Sequence, residues 1–170
     1  MKRKNMILLI TTVIMGLTAG IFYCWSVSVT PGIALLPDKE YITAFQQLDK
    51  AIINPLFMIC FMGLALLLPV CTWVHYQKPQ PLRFWLLLAA SVLYIVGVVG
   101  LTMTANVPMN ESLSTFNTET ATAAEISARR LAHEGRWNYL NNIRTFCCVI
   151  CLALTVLAGM IPKDAKEISF

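Results

Sequence analysis

The fold is decided by residues 84–110, FWLLLAASVLYIVGVVGLTMTANVPMN, which contain no Asp, Glu, Lys or Arg. The same four residue types are absent from 5–37, 51–77 and 145–162. A helix needs roughly 20 mainly apolar residues to cross a bilayer, so each of these ranges can hold one crossing. The chain is 57% hydrophobic and only 13% charged, against roughly a quarter charged in soluble domains. The sequence therefore predicts an all-α integral membrane protein.

Four crossings account for the whole length of the chain. We predict a four-helix bundle in which 1–170 form a single membrane domain, with crossings at about 6–29, 55–74, 84–105 and 143–160. The apolar run that follows the basic start is too long for the core of a signal peptide, so we expect the first crossing to be retained. Pro31 and Pro108 are predicted to end the first and third crossings.

The placement of basic residues indicates an orientation. Basic residues concentrate in short cytoplasmic segments. Seven of the 13 lie in the two tails and in the short link between crossings two and three, at Lys2, Arg3, Lys4, Lys78, Arg83, Lys163 and Lys166. We therefore expect a multi-pass protein of the plasma or inner membrane with both termini cytoplasmic. No basic patch suggests that it binds nucleic acid.

Both outer loops contain predicted amphipathic helical segments. From Asp38 onward, apolar residues recur at helical spacing, at Tyr41, Phe45, Leu48 and Ile52. In the second loop Thr122-Ala-Ala-Glu125 matches a helix capping box. Gly135 is expected to end that helix, and a new helix near Trp137 is expected to run into the fourth crossing.

Polar side chains gather at the predicted outer ends of crossings two to four. They are Asn54, Asn106, Asn110, Glu111, Asn138, Asn141, Asn142 and Arg144. Asn141 and Arg144 are three residues apart on one helix and so lie near one face. Arg144 borders the last apolar run, where a charge is costly unless it is paired or hydrated, and Glu111 is the nearest natural partner. These side chains either cap interrupted helices or form a ligand site.

Six cysteines suggest a second kind of chemistry. Cys148-Val-Ile-Cys151 is a C-x-x-C near the start of crossing four, as in membrane enzymes that pass electrons from thiols to a quinone. Such enzymes also need a thiol pair in a water-facing loop, and neither outer loop has a cysteine. Free cysteine otherwise packs as a small apolar residue. Neither histidine lies near a suitable set of thiols, so no zinc site is predicted.

Four blocks of the sequence resemble the anthrone oxygenase-like family of small membrane proteins. They are Gly20-Ile-Phe-Tyr-Cys-Trp-Ser-Val-Ser-Val-Thr-Pro31, Gln46-Gln-Leu-Asp49 leading to Asn54-Pro-Leu-Phe57, Asn106-Val-Pro-Met-Asn-Glu111, and Asn141-Asn-Ile-Arg-Thr145. The resemblance covers nearly the whole chain. It implies a four-helix membrane bundle and, as in characterised fungal members, the oxidation of a polycyclic anthrone to an anthraquinone with dioxygen.

The resemblance also implies roles for particular residues. The reaction is plausible without a redox cofactor, since the carbanion formed by deprotonation can react with dioxygen directly. It needs a base, hydrogen-bond donors for the developing oxyanion and an apolar slot. Arg144 and Asn141 would be the donors. Substrate positioning would fall to Asn106 and Asn110, and ring stacking to Trp137 or Trp25.

This chain departs from the family pattern at the expected base. Many relatives carry His where this chain has Asn142, and an amide cannot act as a base, so His133 or Glu111 would have to substitute. The leading expectation is a membrane oxygenase for a hydrophobic aromatic molecule that enters from the bilayer. The alternatives are a non-catalytic protein that binds lipid or a partner at its outer end, and the quinone-linked thiol oxidoreductase. The sequence leaves open whether the protein is an enzyme.

Overall fold

The computed structural model describes residues 3–77 and 81–161. All regular structure within these residues is helical. Four helices are long and apolar enough to cross a membrane: α1 (Arg3–Ala34), α3 (Pro55–Val74), α4 (Leu82–Ser114) and α5 (Ala123–Met160). A shorter amphipathic helix, α2 (Asp38–Ile52), joins α1 to α3. The predicted all-α membrane bundle with helical segments in its loops is confirmed.

The four long helices form an up-and-down bundle. Helix α1 packs against α3 and α5, and α4 also packs against α3 and α5. The core between them is built from large apolar side chains, including Met15, Phe61, Leu64 and Tyr94. The outward faces carry exposed apolar side chains, among them Leu17, Leu66, Val96 and Leu157. Helices that are apolar on all sides are the form that lipid requires.

Two prolines that the sequence predicts to end crossings instead lie inside continuous helices. Pro31 directly follows the π-helical segment Trp25–Val29 and its neighbour Thr30, and Pro108 follows the π-helical segment Thr102–Asn106. Proline lacks an N–H, and its ring clashes with the carbonyl four residues earlier in an α-helix. A π-helical turn bonds five residues apart and is wider, which relieves that clash. The predicted helix ends were therefore wrong.

Helix α5 likewise runs through Gly135, where the sequence predicts a break. The helix starts with the predicted capping box: Thr122 Oγ1 accepts the Glu125 N–H, at 3.3 Å, and the Glu125 carboxylate accepts the Thr122 N–H, at 2.7 Å. A glycine in a helix costs only about 1 kcal/mol relative to alanine, which the contacts of α5 with its neighbours outweigh. One continuous helix therefore carries both the polar 123–142 and the apolar 143–160.

We call α2, Val107–Ser114 of α4 and 123–142 of α5 the cap, because they cover one end of the bundle. The apolar face of α2 packs on the other two parts, through Tyr41, Ile42, Phe45, Leu113, Ile126 and Trp137. Arg130 on α5 donates to the Ala34 and Leu36 carbonyls and to Asp38 at the start of α2. Gln46 donates to the Leu113 and Phe116 carbonyls, at 2.8 and 2.9 Å. These bonds hold α2 across the end of the bundle.

Helices α4 and α5 approach each other closely at Gly97. A Cβ atom at this position would lie 2.8 Å from Cys147 Sγ and 3.4 Å from Leu93 Cδ1. Small residues allow this kind of close packing between membrane helices.

We predict that Gly97→Ala destabilises the protein by about 1–3 kcal/mol, because the added methyl overlaps Cys147 Sγ. The measurement is unfolding in a mild detergent. Gly63→Ala is the matched control, since a Cβ there meets nothing within 4 Å. Adding Cys147→Ala to Gly97→Ala should restore stability. Equal stability of Gly97→Ala and Gly63→Ala would contradict the close approach.

Candidate functional site

A cavity of about 190 Å³ lies beneath the cap, between the ends of the four long helices. Its wall is mostly apolar and contains five aromatic rings, those of Phe22, Trp25, Phe57, Phe61 and Trp137. Among the described residues, Asp49 and Arg144 are the only ionisable ones that line it. Ligand sites typically combine such an apolar wall with a few convergent polar groups. This cavity is therefore the candidate site.

Exposed residues border the cavity at the cap ends of α3 and α4. Three of its lining residues are exposed there: Ile53, Met58 and Met103, with Ile53 66% exposed. Ile53 belongs to the link between α2 and α3, Met58 to the start of α3 and Met103 to α4. We call this exposed apolar border the mouth of the cavity, and its composition is of the kind that faces lipid.

Arg144 projects into the cavity from α5 and is only 5% exposed. Its Nη1 donates to Thr102 Oγ1 at 3.2 Å and its Nη2 to Asn141 Oδ1 at 3.0 Å. The guanidinium carbon lies 4.9 Å from the ring centroid of Phe22 and 5.5 Å from that of Trp137. Aromatic faces stabilise a desolvated cation.

Within 3–77 and 81–161, no carboxylate forms an ion pair with Arg144 and no group bonds its Nε. Glu111, its predicted partner, is exposed and does not line the cavity. A buried charge without a counterion is costly. The Arg144 guanidinium therefore favours an anion, or a developing negative charge, in the cavity.

Asn141 fixes the position of Arg144 by bonding on both sides. Its Oδ1 faces Arg144, and its Nδ2 donates to Ser26 Oγ on α1 at 2.9 Å. Ser26 in turn shares a hydrogen bond with Thr145, at 2.8 Å, and Thr145 donates to the Phe22 carbonyl. Because arginine only donates, the amide orientation is settled. Asn141 is thus a structural link between α1, α5 and the guanidinium.

Asp49 lines the cavity from α2 and is not among the site residues predicted from the sequence. Its signal is the spacing Tyr41, Phe45, Asp49, which places it on the buried face of the amphipathic helix. The carboxylate accepts a hydrogen bond from Asn110 Nδ2, and Asn110 Oδ1 accepts one from Trp137 Nε1 at 2.8 Å. Burial raises the pKa of Asp49 above its ordinary value, and the bond from Asn110 opposes that rise. A carboxylate with a raised pKa is a better general base near neutral pH.

The cavity brings together part of the predicted site. Five of the predicted residues line it: Trp25, Asn110, Trp137, Asn141 and Arg144. Asn54 instead caps α3, where its Oδ1 accepts the Phe57 N–H at 3.0 Å. Asn142 is exposed and Asn138 is half-buried, and neither lines the cavity. Asn106 is buried, and its amide finds no partner among the described groups.

His133 lies behind Trp137 in the core of the cap and does not line the cavity. Its ring centroid is 4.6 Å from that of Phe45 and 6.3 Å from that of Trp137. This residue belongs to the polar half of α5, outside the apolar 143–160. Burial, with a smaller contribution from Arg129, lowers the pKa of His133 to about 4. The ring is therefore neutral at pH 7.

The thiols of Cys148 and Cys151 are buried in the core of the bundle and are not bonded to each other. Cys151 Sγ donates to the Ala90 carbonyl at 3.4 Å. Neither residue lines the cavity.

Comparison with known proteins identifies the family of this chain. A family model described as anthrone oxygenase matches residues 46–154. The matched range includes Asp49 and four of the five predicted lining residues, while Trp25 precedes it. No curated protein and no solved structure matches the chain. Because the family match covers more than half of the 170 residues, the chain belongs to the anthrone oxygenase family.

Proposed function

We propose that the protein is a membrane oxygenase that uses dioxygen to oxidise a hydrophobic aromatic substrate in the cavity beneath the cap. The observation that carries this proposal is that the Asp49 carboxylate and the Arg144 guanidinium, which has no ion pair among the described residues, face one aromatic-lined cavity. The name of the matching family supports the same class of chemistry.

The proposed reaction starts from a methylene group that lies opposite a carbonyl in an aromatic ring system. Asp49 accepts a proton from the methylene, and Arg144 stabilises the negative charge that develops on the carbonyl oxygen. The carbanion combines with dioxygen and takes back the proton, which forms a hydroperoxide. Loss of water from the hydroperoxide leaves a second carbonyl, so CH₂ and O₂ become C=O and H₂O. The electrons come from the substrate alone.

The substrate reaches the cavity from the bilayer through the mouth at Ile53, Met58 and Met103. An engineered apolar cavity of about 150 Å³ in another protein holds one benzene molecule. The 190 Å³ cavity therefore holds the reacting ring, and the rest of a polycyclic substrate extends into the mouth. A lateral mouth suits molecules that dissolve in lipid.

We also propose that 1–170 form one membrane domain of the plasma or inner membrane, with both termini cytoplasmic and the cap outside. Support comes from the basic residues at the end opposite the cap, of which Arg3, Lys4 and Arg83 are described. Arg83 Nε donates to the Ala158 carbonyl there, at 2.8 Å. The prediction of orientation from basic residues also uses four that lie outside the described residues, namely Lys2, Lys78, Lys163 and Lys166.

Epitope tags test this orientation. A tag after Phe170 should be inaccessible to antibody in intact cells, and a tag inserted at Thr120, in the link between α4 and α5, should be accessible, because α5 crosses the membrane between the two positions. Permeabilised cells are the control for epitope recognition. Reversed accessibility would invert the proposed orientation.

Dioxygen uptake with an anthrone, in membranes that contain the protein, tests the reaction. We expect Asp49→Asn to lower the rate by about 10²–10⁴-fold, since it removes the base. Arg144→Met should lower it by about 10²–10³-fold, since it removes the oxyanion donor. The matched controls are Glu40→Gln on α2 and Arg136→Met on α5. Both residues are exposed and outside the cavity, so their rates should equal that of wild type.

Several outcomes would contradict this mechanism. A wild-type rate no higher than that of empty membranes would remove the activity and favour a non-catalytic binding protein. Full activity of Asp49→Asn with loss in His133→Gln or Glu111→Gln would move the base to one of those residues. Equal loss in Arg136→Met and Arg144→Met would show that the effect is not specific to the cavity.

The raised pKa of Asp49 also predicts an effect on stability. Its pKa is higher in the folded than in the unfolded state, so ionised Asp49 destabilises the fold at neutral pH. That penalty disappears as the pH falls below the folded-state pKa. Asp49→Asn should therefore be as stable as wild type or more stable at pH 7, with a smaller difference at low pH. Thermal unfolding in detergent measures this, and a clear loss of stability at pH 7 would contradict it.

A further inference from the structure

Asn110 joins Asp49 to Trp137, and the direction of both hydrogen bonds follows from chemistry. The indole N–H of Trp137 can only donate, so the Asn110 atom that faces it, at 2.8 Å, must be Oδ1. The amide nitrogen then faces Asp49 Oδ1. An amide N–H donates, so the network is complete when Asp49 is a carboxylate.

We propose that Asn110 is a positioning residue that holds Asp49 as an oriented carboxylate, while Trp137 locks the Asn110 amide in the donating orientation. This inference rests on the proposed function, in which Asp49 is the base. Asn110 donates to Oδ1, and no described side chain donates to Oδ2, so we assign the proton from the substrate to Oδ2. Asn110 then acts through Asp49. The family resemblance implies a different role for Asn110, the positioning of substrate.

The network depends on three separate parts of the cap. Asp49 belongs to α2, Asn110 to the turns of α4 that follow Pro108, and Trp137 to α5. Trp137 is itself held by Phe45, with ring centroids 5.0 Å apart and nearly perpendicular planes. Docking of the cap therefore assembles the base together with its donor.

The other charged or titratable groups near Asp49 do not replace Asn110. Arg144 lines the same cavity from α5, and His133 lies behind Trp137 on that helix. Glu111 on α4 and Lys50 on α2 are exposed. The described parts of α1 and α3 contribute no ionisable lining residue. Of the described residues, Asn110 alone donates a side-chain hydrogen bond to Asp49.

The test is the pH dependence of dioxygen uptake by Asn110→Leu in membranes. Loss of the donor raises the pKa of Asp49, so the acidic limb of the rate profile should move up by about one pH unit, with the rate recovering at high pH. Asn110→Gln, which keeps both an acceptor and a donor, should restore most of the wild-type profile. Asn117→Leu, an exposed asparagine in the link between α4 and α5, is the control and should leave the profile unchanged. A rate that falls equally at every pH would overturn the proposal.

A second readout does not depend on turnover. The infrared band of the protonated Asp49 carboxyl, identified by its absence in Asp49→Asn, should titrate about one pH unit higher in Asn110→Leu than in wild type. An unshifted titration overturns the role of Asn110 even if the enzyme is active. If wild type shows no dioxygen uptake but the band shifts, the proposed function fails and the positioning of Asp49 stands. If Asn110→Leu does not fold, Trp137→Phe takes its place in this measurement. It frees the Asn110 amide to rotate, so the titration of the Asp49 carboxyl should shift in the same direction by a smaller amount.

Discussion

Arg144 is a cation buried at the end of an apolar helix bundle, and the surrounding structure compensates for it. A charge at this depth is expensive unless other groups replace the water that it loses. Thr102 and Asn141 accept its hydrogen bonds, and the rings of Phe22 and Trp137 lie against the guanidinium. These partners come from α1, α4 and α5. The contacts that replace water around the Arg144 side chain therefore also hold three helices together.

The cap completes this arrangement from the other side. Helix α2 buries an apolar face on α4 and α5, and the same face carries Asp49 into the cavity. A carboxylate that is partly removed from water destabilises a fold unless it is compensated; Asp49 is half-buried, and its compensation is partial, through one amide. A residue that lowers the stability of the folded state in this way is commonly kept for function, because activity and stability place different demands on the same side chain.

Continuity of the helices decides which residues reach the site. Had α4 ended at Pro108, Asn110 would lie in an irregular loop, and a break at Gly135 would separate Trp137 from the capped start of α5. The π-helical turns before Pro31 and Pro108 keep α1 and α4 continuous. Helix α5 stays continuous through Gly135 because it packs against its neighbours. Local rules for proline and glycine describe isolated helices, and tertiary packing outweighs preferences of about 1–3 kcal/mol.

The sequence by itself determined that the protein is an all-α membrane protein with four candidate crossings, that a capping box starts at Thr122, and which family the chain belongs to. Each depends on local pattern, since the cost of a charge in lipid and the length of a crossing can be read along the chain. Only the tertiary structure decided that Asp49 lines the cavity, that His133 packs behind Trp137 and that Glu111 stays at the surface. The reason is that convergence of side chains depends on helix rotation and packing, and residues 49, 110 and 144 meet only once α2 is folded over the bundle.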